Sequence, residues 1–300
     1  MTNKKSSFFK KLNVFNKKKH SESKTGVLPE FGGKAPGNEY IEKIFRLPLN
    51  EGKCKLNVAA LNGNVIITGY TWDMVCAKIM YKPKSSDAAI VLAADESGKY
   101  TLEYNKDDFD SVWAEIHVPA RFFRDMKLKA AQGKIIASGF STGNLALSCC
   151  GCELININAA NFRLETNKKN VYLQNLTAIH AKVSLSNGQF HALGLDIKEL
   201  IFKAVKCPVA IISKFDRHQE YKWDFNVKDA KFNITMSPGT DIAYYVLAES
   251  KVSGVKMALK NMDVLMGGHN FIEAKSKNYE GALKKAHLNI AAVRSPVSVH

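Results

Sequence analysis

Apolar residues recur at intervals of nineteen positions over residues 126–216, and this repeat constrains the fold more than any other feature of the chain. Within each row of nineteen, the apolar positions lie two apart, which is the spacing of side chains on one face of a β-strand. Three of the columns are Met126, Leu145, Leu164, Val183 and Phe202; Leu128, Leu147, Thr166, Leu185 and Ala204; and Gly133, Cys152, Val171, Phe190 and Val209. A repeat of this length is typical of a solenoid, because one coil cannot bury its own apolar face and stacking buries it.

The repeat predicts an all-β protein whose main part is a β-solenoid, similar to a parallel β-helix, with a period of about nineteen residues. About five coils fit between Met126 and Asp216. A related unit is expected seventy residues upstream, because Leu56 and Val65 occupy the positions of Met126 and Ile135 in the same pattern.

The chain divides into three predicted regions. Residues 1–40 form a basic tail that we expect to be mostly disordered, because it is rich in lysine and ends in proline and glycine. Residues 41–216 hold the strand repeats of the solenoid domain. Residues 217–300 lose the nineteen-residue pattern but keep strand-like alternation, so they predict a smaller C-terminal β section that covers the end of the solenoid.

Charge and hydropathy exclude several classes of protein. The net charge is +15, and residues 1–26, with eight lysines and one glutamate, supply +7 of it. Arginine occurs only six times in the chain, which favours contact with a diffuse anionic surface over sequence-specific reading of nucleic acid. The apolar runs are too short for a transmembrane helix, and no apolar segment follows the basic N-terminus. We therefore expect a cytoplasmic location.

The six cysteines include one C-x-x-C spacing, from Cys149 to Cys152. A zinc ribbon needs a second pair with this spacing, and the sequence has none. The cysteines are too few for a disulfide scaffold in a chain of 300 residues. We expect packed, reduced thiols.

Short motifs give the sequence a family resemblance. The unit G-x-[VI]-x-[IV]-x-G occurs as GNVIITG at residues 63–69 and, less fully, as GKIIASG at residues 133–139. A strand ending in Val118-Pro119 precedes the repeats, and the C-terminal stretch contains AKSKNY at residues 274–279. Over roughly residues 45–300 the chain resembles the bacterial "putative adhesin" β-strand-repeat family of Firmicutes, a domain of unknown function. The resemblance implies a β-solenoid-like fold, an association with the cell envelope and no established catalytic residues.

Catalytic groups do not form a recognisable set. No column of the repeat holds two acidic residues, which argues against hydrolysis by paired carboxylates. No nucleophile motif and no phosphate-binding loop occurs. We therefore predict a non-enzymatic structural or interaction protein without a cofactor or catalytic residues.

One column leaves a different function open. His180, Glu199 and His218 follow one another at nineteen-residue intervals, and two imidazoles with a carboxylate can bind a divalent metal. A solvated polar ladder at a turn explains the same residues. A solenoid-based, metal-dependent hydrolase is the alternative function.

The tail contains a basic amphipathic segment. Phe8, Leu12 and Phe15 fall on one face of a helix, with lysines opposite and beside them, so the segment could lie on an anionic membrane. The predicted membrane-contact residues are Phe8, Phe9, Lys10, Lys11, Leu12, Phe15, Lys17 and Lys18. A solubilising disordered tail and nonspecific binding of nucleic acid are the alternatives.

The expected partners are an anionic membrane surface or an envelope-associated protein. Membrane contact would place the protein peripherally on the inner face of the membrane. We expect no small-molecule substrate and no specific nucleic acid, and the sequence leaves the oligomeric state open.

Overall fold

The computed structural model describes residues 31, 39–49, 54–121, 123–236 and 242–300. In these residues the backbone forms nineteen β-strands in one hydrogen-bonded sheet, with a 3₁₀ turn at Lys106–Asp108 and no α-helix. The strands β1 to β19 are, in chain order, Ile41–Pro48, Cys54–Ala60, Val65–Tyr70, Met74–Pro83, Ile90–Ala94, Lys99–Tyr104, Phe109–Pro119, Phe123–Asn167, Val171–Ser186, Phe190–Val205, Val209–Ser213, Glu220–Lys228, Phe232–Met236, Ile242–Ser250, Val255–Met257, Met262–Gly267, Phe271–Ser276, Lys284–Val293 and Val297–Val299. The prediction of an all-β protein is confirmed.

Parallel pairing at an offset of nineteen residues runs through the centre of the sheet. Leu164 of β8 lies opposite Val183 of β9, and Val183 lies opposite Phe202 of β10. β10 pairs with β11 at the same offset, with Phe190 opposite Val209. The pairing partners are therefore the residues that the sequence places in one apolar column.

Strand β8 bends back on itself. A straight strand of its 45 residues would be about 150 Å long. Instead, the thiol of Cys150 donates a 3.0 Å hydrogen bond to the carbonyl oxygen of Ala131, nineteen residues earlier. The amide of Asn144 likewise donates to the carboxylate of Asp125. These contacts place successive nineteen-residue segments of β8 side by side.

The apolar columns form the core. Leu145, Leu164, Val183 and Phe202 are each at most 2% exposed, while the residues between them in the chain point outward. Burial therefore alternates along β8, β9 and β10, as expected for strands with one face in the core and one in water. One column of buried apolar side chains runs from strand to strand through this part of the sheet.

The N-terminal strands do not stack in chain order. β2 and β3 pair in parallel with β8 at an offset of seventy residues, with Leu56 opposite Met126 and Val65 opposite Ile135. On their other side, β2 pairs with β6 and β3 pairs with β7. The upstream unit is therefore inserted between the excursion that follows it in the chain and the repeats. Antiparallel strands β4, β1 and β5 complete this end.

The C-terminal strands show a second insertion. β12 pairs with β10 at an offset of 23 residues, and β18 then lies in parallel between β12 and β14. The antiparallel strands β17 and β16 follow β14 and end this side of the sheet. The described residues from Glu39 onward belong to one unit, Gly33–His300. The division of the chain into residues 1–40, 41–216 and 217–300 stays a prediction.

Candidate functional site

The proposed metal column contains two of its three predicted residues. Nδ1 of His180 lies 2.9 Å from Oε2 of Glu199, and both side chains are about half exposed. The residue opposite Glu199 on the next strand is Lys222, and not His218. The predicted place of His218 is wrong because the offset between the strands changes from nineteen to 23 residues at this point. Among the described residues, no group of three or more His, Cys, Asp or Glu side chains could hold a metal ion.

The longer spacing makes room for an aromatic cluster around a buried carboxylate. Phe215 packs against Tyr221 and Trp223, with ring centroids 4.7 and 4.9 Å away. The hydroxyl of Tyr221 donates to the carboxylate of Asp196, which is only 3% exposed. Burial raises the pKa of Tyr221 well above its ordinary value, so this phenol stays a donor. The cluster holds two strands together and offers no open position for a ligand.

The cysteines are held as thiols in the core. All six are free, and five of them, including Cys149 and Cys152, are buried. Burial raises the pKa of the Cys152 thiol well above its ordinary value and that of Cys207 to about 11. The thiolate is the reactive form, so these two groups are poor nucleophiles and poor metal ligands at neutral pH.

Five turns, each joining two strands of the stack, lie in succession along one edge. They follow β8, β9, β10, β12 and β18, and in each of them one residue has a positive φ. These residues are Lys168, Asn187, Lys206, Asp229 and Arg294, with φ of 91°, 52°, 50°, 58° and 50°. The backbone N–H of each of the first four donates to a carbonyl oxygen in the next turn of the series, over 2.9 to 3.1 Å. The turns are therefore fixed to one another by hydrogen bonds.

The residue type at these positions is unusual. A positive φ is unfavourable for a side chain with a Cβ, and asparagine tolerates it better than most residues. Asn187 fits this preference, as do Asn156 and Asn175 at another ladder of positive φ, where the two amides are hydrogen-bonded over 2.8 Å. Lysine has no such local advantage, yet it occupies the position in two of the five turns.

The turns carry a concentrated positive charge. We call their six exposed cations the basic ridge: Lys168, Lys169, Lys206, Lys228, Lys231 and Arg294. The one acidic residue within residues 167–170, 186–189, 205–208, 228–231 and 293–296 is Asp229. Arg294 donates to both carboxylate oxygens of Asp229, over 2.5 and 3.0 Å, and this contact lowers the pKa of that carboxyl. The net charge of the five turns is +5, from six cations and one anion.

An open groove of about 420 Å³ lies beside the ridge. Its walls are mostly short polar side chains, among them Ser148, Asn167, Ser184 and Ser186, and its acidic residue is Glu165. The guanidinium of Arg163 donates to Glu165, so this carboxylate is already paired.

Sequence reasoning missed the basic ridge, although its signal was visible. Lys169-Asn170 and Lys206-Cys207 stand where the earlier repeats have glycine. The structure shows that these lysines lie at successive turns of one edge. The predicted membrane-contact residues, Phe8, Phe9, Lys10, Lys11, Leu12, Phe15, Lys17 and Lys18, lie outside the described residues. Within the described ranges, no helix is long and apolar enough to cross a membrane.

Comparison with known proteins gives similar structures but no family. No family model matches the chain, and no curated protein matches it. A structure described as a putative cell adhesion protein from Clostridium sporogenes is 14% identical, with a TM-score of 0.35 over 87% of this chain and 98% of the other. A putative adhesin from Bacteroides fragilis is 13% identical, with a TM-score of 0.48 over 89% of this chain and all of the other.

A third similar structure, described as a putative lipid binding protein from Parabacteroides distasonis, is 8% identical. Its TM-score is 0.39 over 87% of this chain and 96% of the other. At these identities and TM-scores the similarity carries no conclusion about the function of this chain. The resemblance to the Firmicutes form of the family stays a prediction.

Proposed function

We propose that this chain is a non-enzymatic structural or interaction protein built as a β-solenoid with a period of about nineteen residues, as in the family that its motifs resemble. The observation that carries the proposal is the parallel register at this offset through β8, β9, β10 and β11. Such a stack buries one column of side chains and displays the others in regular rows. Its rigid exterior suits contact with a large partner.

The outward carboxylates of the central strands support a non-enzymatic role. Glu165 accepts hydrogen bonds from Arg163, and Glu199 is bonded to His180. Hydrolysis of a glycosidic bond needs two carboxyl groups on either side of one bond. These two glutamates each have their own cationic or imidazole partner, and no observation in the described residues favours the alternative of a metal-dependent hydrolase.

The proposed partner is an anionic membrane surface, which the tail contacts from the cytoplasmic side. The eight lysines of residues 1–26 attract the chain to anionic lipid, and each contributes about 1 kcal/mol close to the surface. The apolar face of Phe8, Phe9, Leu12 and Phe15 adds burial that salt does not weaken. An envelope-associated protein is the second candidate partner.

Sedimentation with lipid vesicles tests this proposal. The full chain, a deletion of residues 1–26 and the double substitution Phe8→Ser/Phe15→Ser are mixed with phosphatidylcholine vesicles, with and without phosphatidylglycerol. We expect the full chain to bind only when the anionic lipid is present. Both variants should bind more weakly, because one loses the whole segment and the other loses its apolar face with every lysine kept. Equal binding by the deletion and the full chain would contradict a role for the tail.

A further inference from the structure

We infer that the basic ridge is a second docking surface of the folded part of the chain, and that its partner is an anionic lipid bilayer. The inference rests on the proposed function for the choice of partner. It depends on different residues, since the ridge lies wholly in residues 168–294 and the tail ends before residue 40.

The first argument is the residue type at the positive-φ positions. Asn187 shows that the ridge accepts asparagine in one of its turns, and asparagine costs less there than lysine. Lys168 and Lys206 occupy equivalent positions in neighbouring turns. The backbone conformation gives no reason for lysine at either place, so the charge is the property that distinguishes them.

The second argument is the arrangement of the charges. Neighbouring strands in a sheet are about 4.8 Å apart, so five successive turns extend over about 19 Å. The cations of these turns repel one another at such distances, which are within about two Debye lengths at physiological salt. Hydrogen bonds between the turns hold the ridge in place, so binding does not have to order the backbone that carries the charges. An anionic surface relieves the repulsion.

The third argument separates a bilayer from nucleic acid. Five of the six cations are lysines, and the one arginine, Arg294, is engaged by Asp229. Lysine attracts an anionic surface as a point charge but lacks the planar fork that reads bases. The third turn also exposes apolar surface, with Val205 at 41% exposure directly before Lys206 and an exposed Pro208 just after it. Apolar side chains among lysines fit the interface of a bilayer.

Charge reversal with a matched control tests the inference in the full chain. The ridge variant is Lys168→Glu/Lys206→Glu/Lys231→Glu, and the control is Lys99→Glu/Lys260→Glu/Lys277→Glu, which changes the net charge equally at exposed lysines outside the five turns. Binding is measured with phosphatidylcholine vesicles that contain phosphatidylglycerol. We expect the ridge variant to lose about tenfold or more in affinity and the control to lose clearly less. Equal losses, or no loss in the ridge variant, would overturn the inference.

A second variant keeps the fold out of question. Lys168→Asn/Lys206→Asn removes two charges and places at both positions a residue that tolerates positive φ. We expect it to unfold at the same temperature as the parent or higher, and to bind the anionic vesicles several-fold more weakly. Unchanged binding by this variant would also overturn the inference.

Two further arms separate the possible causes. In the chain without residues 1–26, any remaining vesicle binding should disappear on charge reversal of the ridge, whether or not the deletion itself weakened binding. A failure of the tail therefore leaves the ridge testable, and the reverse also holds. The same variants are mixed with a single-stranded polynucleotide. If reversal of the ridge abolishes polynucleotide binding and leaves vesicle binding intact, the bilayer is the wrong partner.

Discussion

The hydroxyl of Tyr221 donates a 2.8 Å hydrogen bond to Oδ1 of Asp196, which lies 25 residues earlier in the chain. The same hydroxyl accepts a 2.9 Å hydrogen bond from the backbone N–H of His218. Because the carboxylate is buried and Arg217 lies 3.9 Å from its other oxygen, the phenol is the closest side-chain donor described for Asp196. The strands that differ in spacing by four residues are thus joined at one buried polar contact.

Replacing Tyr221 by Phe should destabilise the protein by about 1–3 kcal/mol, since it leaves a buried carboxylate without this donor. Urea denaturation measures the change in the free energy of unfolding. Tyr245→Phe is the matched control, because Tyr245 donates to Glu273 in the same way over 2.6 Å, but Glu273 is only partly buried. Water can replace that donor, so we expect a smaller loss. Equal losses in the two variants would contradict the special role of the buried contact.

Leu164 tests the apolar column at the centre of the repeat. Its side chain is fully buried and lies opposite Val183, so Leu164→Ala should cost about 2–5 kcal/mol. Leu164→Asp should prevent folding, because it places an unpaired charge in the core. The exposed neighbour Arg163 gives the control, with Arg163→Ala expected to cost less than about 1 kcal/mol. A small effect of Leu164→Ala would mean that the column is not a packed core.

The repeat could be predicted because its pairing partners are separated by a constant number of residues. Leu164 and Val183 have the same relation in the sequence as in the structure. That relation ends at Glu199, where four extra residues shift the partner to Lys222. The sequence shows the loss of the pattern there but not the new register, since alternation continues in both strands. The place of His218 was lost for this reason.

The basic ridge was hidden from sequence reasoning for a different reason. Its lysines are visible in the rows of nineteen, but a row does not show which residues have a positive φ. Without that backbone information, Lys168 and Lys206 are ordinary turn residues. The order of the strands at the two ends of the sheet was equally hidden, because β18 and β12 are 65 residues apart in the chain and share no motif.

The contact between His180 and Glu199 should contribute little to stability. Both side chains are about half exposed, so water screens the interaction, and either His180→Ala or Glu199→Ala should change the free energy of unfolding by less than about 1 kcal/mol. Lys222 in the next position repels a cation, so added zinc should not raise the melting temperature. A zinc-dependent increase that disappears in His180→Ala would instead support the metal site.

Labelling with a thiol reagent should separate the cysteines by burial. Cys150 is the partly exposed one, whereas the other five are buried, and burial raises the pKa of Cys152 and Cys207. Since the thiolate is the reactive form, we expect one fast thiol per native chain and six after denaturation. Cys150→Ser should remove the fast phase. Rapid reaction of two or more thiols in the native protein would show that the core opens on the timescale of labelling.

The C-terminal strand β18 should be essential to the fold, although it lies near the end of the chain. It pairs in parallel with β12 on one side and β14 on the other, and its inward side chains Leu288 and Ile290 are each 1% exposed. Deletion of residues 284–300 therefore removes a central strand and uncovers the inner face of two neighbours. We expect the shortened chain to lose its near-UV circular dichroism and its cooperative melting transition, and to aggregate through the unpaired strands.

A milder variant gives a measurable energy for the same strand. Ile290→Ala should cost about 2–5 kcal/mol, whereas Asn289→Ala, an exposed change on the same strand, should cost less than about 1 kcal/mol. Refolding of the parent should also be slow, because β12 and β14 can take their final places only when a strand from much later in the chain arrives between them. Stopped-flow refolding measures this rate. A truncated chain that melts cooperatively at the temperature of the parent would show that β18 is dispensable.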